Sequence, residues 1–300
     1  MSRFGLIGFP IAHSLSPLLF KAAYGGRFRY DLLESEDFDT AFRAFMKSCD
    51  AVNVTAPFKE LAFDKAKFRS PESELIGAAN MLVKTPRGLS CFNSDCTAVR
   101  AMLEDFNNRA PENGKLRNVL VVGCGGAGKA AAVAAFTLGL EVTLMNRSIA
   151  RALSFAQHLT AEAPKTAQNR PGALQGLRPG TVSTLPLDRF PSALLQHDAV
   201  IYTLPAAIDV PPFTSAIADS PEPPRLKLLF EANYRSPAFT PGILCSLPQT
   251  AEYIPGEQWL LQQALTGYGL MTGINPNRQA LETALPRGTV IENISRFDKI

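Results

Sequence analysis

The stretch "NVLVVGCGGAGKAAAVAAF" (118–136) constrains the fold more than any other part of the chain. An apolar, β-branched run leads straight into Gly123, Gly125 and Gly128, and an alanine-rich segment follows. The first glycine allows a tight turn, the second lets the backbone approach a pyrophosphate, and the third permits close packing of helix on strand. With Gly126 and Ala127 between them, these residues open a helix whose unpaired N–H groups and positive dipole end suit a phosphate. A second strand, "EVTLM" (141–145), follows closely, so a βαβ unit and an α/β fold are expected. The competing reading, a glycine turn that only packs helix on strand, is weakened by the strands on either side.

In a dinucleotide site the second strand ordinarily ends in a carboxylate for the ribose 2′-hydroxyl. Here it ends in Asn146, followed by Arg147, Ser148 and Arg151. No carboxylate is there to repel a 2′-phosphate, and two guanidiniums are placed to clamp one. The expected cofactor is therefore NADP(H) rather than NAD. Nicotinamide chemistry means hydride transfer, and reducing a ketone needs a proton donor beside the carbonyl.

Composition narrows the choice of donor. The histidines, His13, His158 and His197, are scattered, and the five cysteines form no CxxC pair. Neither a metal centre nor thiol catalysis is expected. His13 reads as a structural residue bonded to nearby backbone, and Cys124 matters in the glycine loop for its size. A net charge of +3 without a dense Lys/Arg tract argues against nucleic acid as a partner. No run approaches the roughly 18 apolar residues of a membrane span. The opening "MSRFGLIGFP" carries no secretory h-region, which leads to the expectation of a cytoplasmic protein.

At 300 residues the chain exceeds what one core usually organises, so two domains are expected. Residues 3–8 read as a first strand, and Ser16 as the N-cap of a helix with Pro17 at its first position. "FDTAFRAFMKSC" places Phe38, Phe42, Phe45 and Met46 on one helical face, and "DAVNVT" follows as a strand. "NMLVK" and "LSCFN" flank the turn "TPRG" as a hairpin. "NSD" (93–95) caps a helix carrying Val99, Met102, Leu103 and Phe106. The polar stretch 107–115 ends this first α/β part. Residues 161–180, rich in Pro, Gly and Gln, read as a loop or insertion. "DAVIYTLP" and "LKLLFEANY" are candidate later strands, and a helix from about Trp259 follows.

"NVTAPFKE" (53–60) runs an apolar strand into Pro57, with Lys59 just past its carboxyl end, where ligands bind in open α/β sheets. Asp95 could partner it. Spacing alone leaves Lys59 open between a solvated loop cation and a proton donor, and Asp95 between a helix cap and a catalytic partner.

These motifs, in order, resemble the shikimate dehydrogenase family over most of the chain. "GFPIAHSLSP" is similar to that family's opening signature, which implies that Ser14 and Ser16 bind the substrate carboxylate. "NVTAPFK" resembles its Asn-Val-Thr-x-Pro-x-Lys motif, which implies Lys59 as the catalytic lysine and Thr55 as a substrate contact. "GAANML" implies that Asn80 binds a ring hydroxyl, and "NSD" that Asp95 is the lysine's partner. "GCGGAG" and "NRSIAR" look like the family's phosphate loop and 2′-phosphate clasp. "LLQQAL" implies Gln263, and "EANY" Tyr234, as substrate-binding residues.

The resemblance implies a two-domain α/β architecture with a cleft between the domains. Residues 1–98, joined by C-terminal helices at about 257–300, would bind substrate, and a Rossmann domain over 99–256 would bind NADP. Hinged closure would bring the nicotinamide to a small anionic substrate. The implied reaction is reversible reduction of 3-dehydroshikimate to shikimate, in aromatic amino-acid biosynthesis, by a monomer or homodimer. Alternatives are a quinate/shikimate dehydrogenase of relaxed specificity or a non-catalytic NADP-binding regulator of the same fold. A methylenetetrahydrofolate dehydrogenase fits "HSLSP" poorly. The chain departs from the family pattern at Tyr202–Ile208, at Glu231 in place of Asp, at Gln258-Trp259 in place of Gly-Met, and after "NSDC", where a glycine is absent. All but the last fall on the nicotinamide side or its hinge.

Overall fold

The computed structural model describes residues 2–169, 179–204, 223–248 and 251–285. The chain begins with β1 (Arg3–Gly8), α1 (Ser16–Ala23), β2 (Arg29–Glu34), α2 (Phe38–Ser48), β3 (Ala51–Val54) and α3 (Lys59–Lys65). Next come β4 (Phe68–Arg69), α4 (Pro71–Ile76), β5 (Met81–Thr85), β6 (Gly88–Phe92) and α5 (Ser94–Arg109). The strands form one mixed sheet in the order β2-β1-β3-β5-β6-β4. β1 lies parallel to both β2 and β3, while β3–β5 and β5–β6 pair antiparallel, the latter as the expected hairpin.

A second sheet follows from β7 (Asn118–Val122), α6 (Gly126–Thr137), β8 (Glu141–Asn146), α7 (Ile149–Asn169), β9 (Val182–Pro186) and α8 (Phe190–Gln196). It is completed by β10 (Ala199–Tyr202), β11 (Leu228–Glu231), α9 (Pro241–Leu244) and β12 (Glu252–Ile254). All its pairings are parallel, in the order β12-β11-β10-β7-β8-β9. Counted from β7 this is the doubly wound dinucleotide-binding order, with its switch point beside β7. Helices cover both faces, which is why β7 and β10 are continuous apolar runs rather than alternating ones. Burying each such Val, Leu or Ile contributes about 1.5–3 kcal/mol.

The last helices, α10 (Gly256–Thr272) and α11 (Arg278–Ala284), return to the first sheet. Leu261, Ala264, Tyr268 and Met271 of α10 share a core with Phe4, Leu19, Phe20 and Met81. Residues 286–300, the remainder of the expected C-terminal segment, lie outside the described residues. The two halves are not separate cores. Leu75 and Ile76 of α4 and Val99 and Leu103 of α5 pack in one cluster with β7, α6 and α7. Among the described residues no helix is long and apolar enough to cross a membrane.

Several local expectations are corrected. α7 continues to Asn169, through Pro164, where a loop was expected from residue 161. Its buried Ala152, Phe155, Ala156, Leu159 and Ala163 keep helical spacing up to the proline, and packing overrides composition. Residues 170–178 lie outside the described residues. In α2, Phe38, Ala41 and Phe45 form the buried stripe and Met46 is exposed. Ser16 is not a cap; Leu15 holds that position and Ser16 is the first helical residue. α10 starts at Gly256, three residues before Trp259.

Candidate active site

β1 and β3 are parallel neighbours, so their carboxyl ends, Gly8 and Val54, lie side by side. The chain leaves each through a proline turn, and the Phe9–Pro10 and Ala56–Pro57 bonds are cis. Between these turns and α10 lies a cavity of about 380 Å³, at the small end of the range for ligand sites. Its polar lining comes from His13, Ser14, Ser16, Asn53, Thr55 and Lys59, with Tyr234 and Gln263 closing it from the C-terminal part of the chain.

The corner of the two serines is built by local bonds. Ser14 Oγ donates to Ser16 Oγ at 3.1 Å and accepts from the Ser16 N–H at 3.2 Å. The Tyr268 hydroxyl donates to the Ser16 carbonyl at 3.3 Å, which ties α10 to this corner. Asn53 is held from the next strand but one, its Oδ1 accepting from the Tyr30 hydroxyl at 2.9 Å. Burial raises the phenol pKa of Tyr30, Tyr268 and Tyr234, so all three are neutral hydroxyls at physiological pH.

Lys59 opens α3, and its Nζ donates to Asp95 Oδ2 at 2.6 Å. The side chains are 17% and 6% exposed, so the pair is largely withdrawn from water yet reaches the cavity through Lys59. Asp95 is free for this contact because Asn93, not Asp95, caps α5, its Oδ1 accepting from the Cys96 N–H at 3.2 Å. Asp95 lies in the first turn of α5, where the helix dipole favours a carboxylate.

Asn80 is not brought to the cavity. It is fully buried, and Ser94 takes both its polar atoms: Asn80 Nδ2 donates to Ser94 Oγ at 3.0 Å, and Oδ1 accepts the Ser94 N–H at 2.8 Å. It braces the start of α5 instead. His13, expected to be bonded to backbone, is exposed and lines the cavity. Asn53 and Leu260 also line it and were not singled out from sequence. Asn53 stood in plain view at the head of the "NVTAPFK" motif.

The cofactor side faces the same cleft. Gly123 has a φ of +108°, and a Cβ there would come 2.5 Å from Thr203 Oγ1. A Cβ on Gly128 would be driven into the Gly123 carbonyl, so helix and strand approach as closely as the glycine spacing predicts. At Gly125 a Cβ would meet open space, while at Gly126 it would meet the Lys59 stem, 2.9 Å from Cδ. α6 therefore starts against the buried lysine, with no side chain capping its N-terminus. An uncapped helix start beside an open glycine is a cradle that fits a pyrophosphate.

Asn146 at the end of β8 joins this loop to the arginines. Its Oδ1 accepts the Cys124 N–H at 3.2 Å and its Nδ2 donates to the Ser148 carbonyl at 3.0 Å. Ser148 Oγ accepts the Arg151 N–H at 3.4 Å, and Arg147 and Arg151 are exposed at the rim. All five cysteines are free, four of them buried, and among the described residues no His/Cys/Asp/Glu group could hold a metal ion.

The departures from the family pattern fit this frame in different ways. Tyr202 is fully buried at the end of β10, and Thr203 donates to the Val122 carbonyl at 2.9 Å. Residues 205–208 lie outside the described residues. Glu231 is buried and accepts N–H bonds from Ala238 and Phe239 and the Tyr253 hydroxyl at 2.9 Å. Burial raises its pKa despite those donors. Trp259 packs in the shared core, and its indole N–H finds no partner among the described residues.

A parallel sheet of dinucleotide-binding order faces a mixed sheet across a cavity holding a buried lysine–carboxylate pair. This defines a two-domain α/β protein of the dinucleotide-binding class. Residues 6–82 match the family model described as the shikimate dehydrogenase substrate binding domain. The shikimate dehydrogenase (NADP(+)) of Thermus thermophilus is 33% identical over 202 residues, 64% of this chain and 75% of that protein. That of Carboxydothermus hydrogenoformans is 28% identical over 300 residues, 94% of this chain and 95% of that protein. The chain belongs to the shikimate dehydrogenase family. A crystal structure of the Thermus thermophilus shikimate 5-dehydrogenase in complex with NADP(H) and shikimate superposes with a TM-score of 0.69 at 25% identity, covering 95% of this chain and 98% of that one.

Proposed function

We propose that this chain catalyses the reversible reduction of 3-dehydroshikimate to shikimate with NADP(H), with Lys59 as general acid/base and Asp95 as its partner. The observation that carries the proposal is the 2.6 Å contact of Lys59 with Asp95 at the wall of a polar cavity, beside the start of the cofactor helix. When bound, NADPH supplies the hydride. Lys59 Nζ then donates a proton to the carbonyl oxygen and takes it back in the reverse direction. Asp95 keeps the ammonium oriented through that exchange. Ser14 and Ser16 bind the substrate carboxylate; Thr55, Tyr234 and Gln263 hold its hydroxyls. The glycine loop 123–128 carries the pyrophosphate, and Asn146, Arg147, Ser148 and Arg151 carry the adenosine 2′-phosphate. Asn80 supports the site through Ser94.

The proposed division has residues 1–98 and the returning C-terminal helices binding substrate and 99–256 binding cofactor. α5 spans this boundary and packs on both α6 and α10, which supports it as the element about which the halves close. Unpaired cysteines suit a reducing cytoplasmic setting, in which the chain acts as a monomer or homodimer without a nucleic-acid partner.

Steady-state assays with shikimate and quinate, each against NADP and NAD, test the reading. Turnover with shikimate and NADP is the expected result. Equal turnover of quinate would make it a shikimate/quinate enzyme, and protein that binds NADPH but turns over neither acid would be a regulator.

A further inference from the structure

Glu60 follows Lys59 in the first turn of α3 and reaches the cofactor half. Its Oε1 accepts from Lys129 Nζ at 2.7 Å, and Arg151 Nη2 lies 3.6 Å from the same oxygen. Lys129 belongs to the first turns of α6, its side chain only 15% exposed, with the ammonium 5.6 Å above the Phe155 ring. Arg151 is one of the two guanidiniums assigned above to the 2′-phosphate. A carboxylate from the substrate half thus already sits against the cations of the cofactor half. The Lys129 hydrogen bond holds the Glu60 carboxyl below the usual carboxylate range, so it is ionised at neutral pH.

We infer that Glu60 is an internal counter-anion of the 2′-phosphate clasp, a specificity-setting residue that limits how strongly the chain prefers phosphorylated over unphosphorylated coenzyme. The inference rests on the NADP reading above. An incoming 2′-phosphate must share Arg151 with Glu60 and meets a like charge close by, whereas a free 2′-hydroxyl meets neither effect. Glu60 and Arg151 are each about half exposed, so water screens the repulsion. The expected penalty on a 2′-phosphate ligand is about fivefold in affinity.

Calorimetric titration of the full chain with adenosine 2′,5′-bisphosphate and with 5′-AMP, which differ only in the 2′-phosphate, tests this without turnover. Glu60→Gln keeps the side chain's size and hydrogen bonding and removes its charge. It should tighten the bisphosphate about fivefold, leave 5′-AMP within about twofold, and lose most of the difference at high salt. Equal tightening of both ligands, no change, or weaker bisphosphate binding would overturn the inference while leaving the cofactor reading in place. Wild-type protein that does not prefer the bisphosphate over 5′-AMP would overturn both.

Discussion

Lys59→Met removes the ammonium while keeping most of the stem that packs against Gly126. Asp95, 6% exposed, is then left charged without its cation. Removing one partner of a buried pair typically costs about 3–5 kcal/mol. The first-turn position of Asp95 in α5 offsets about 0.5–1 kcal/mol of that through the helix dipole. The 17% exposure of Lys59 admits some water and moves the figure further toward the lower end, about 3 kcal/mol. At about 2–4 °C per kcal/mol for a chain of this size class, Tm should fall by roughly 6–12 °C. Loss of the proton donor should lower kcat by about 10²-fold or more with a modest change in KM. Adding Asp95→Leu removes the orphaned carboxylate, so the double variant should regain most of the lost stability and none of the lost kcat. Calorimetry and steady-state kinetics on the two variants separate the effects. A raised KM at unchanged kcat would make Lys59 a binding residue only, and a double variant no more stable than Lys59→Met would refute the account of the pair.

The glycine loop and Glu231 give two further tests. Gly125→Ala meets open space, so stability should stay within about 0.5 kcal/mol. NADPH affinity should fall at least about tenfold, because the methyl stands where the pyrophosphate must approach; unchanged affinity would move the pyrophosphate elsewhere. Gly128→Ala, which drives a Cβ into the Gly123 carbonyl, should instead lower the urea midpoint by the equivalent of about 1–3 kcal/mol. For Glu231 the folded pKa lies above the unfolded one, so the folded state holds the proton longer. Stability contributed by Glu231 is fully present below the unfolded value of about 4.3 and is lost as pH rises through the folded value. Glu231→Gln should be about 1–3 kcal/mol less stable overall, since two N–H groups and the Tyr253 hydroxyl share its oxygens. It should also lack that pH-dependent loss; urea midpoints that run parallel for both proteins across this window would refute the assignment.

The parts of the fold that were legible in the sequence are those where one residue type is sterically required. Gly123 and Gly128 have no room for a Cβ, so the β7–α6 turn could be read directly. The continuous apolar runs of β7 and β10 announced a sheet covered on both faces. Long-range contacts left no such mark. Lys59 and Asp95 are 36 residues apart, and they meet because the β5–β6 hairpin returns the chain alongside β3 before α5 begins. Family likeness, not spacing, suggested that pairing. Glu60–Lys129 had no periodic or motif signal at all. Asn80 is the reverse case: its motif points to the ligand, while in the structure its two polar ends both bond Ser94. Pro164 misled because a helix can carry a proline where the apolar stripe leading up to it is already buried.

The placement of two charges on one short turn has a consequence for how such a site works. Lys59 turns to Asp95 within the substrate half, and the next residue, Glu60, turns to Lys129 on the cofactor helix. The Lys59 stem itself packs on Gly126 at the start of that helix. The proton donor and the tie between the halves therefore share one backbone segment, braced from behind by the Ala79 N–H bond to the Lys59 carbonyl at 2.9 Å. A motion that opened the cleft at this point would have to break the Glu60–Lys129 bond and expose the Lys59 stem together. Coupling of that kind needs no relay across the protein, only adjacent side chains with opposite partners. Glu231 ends β11 and Trp259 packs in the core shared by the halves, while the segment from Asn53 to Glu60 carries the donor, the cavity wall and the tie to the cofactor half.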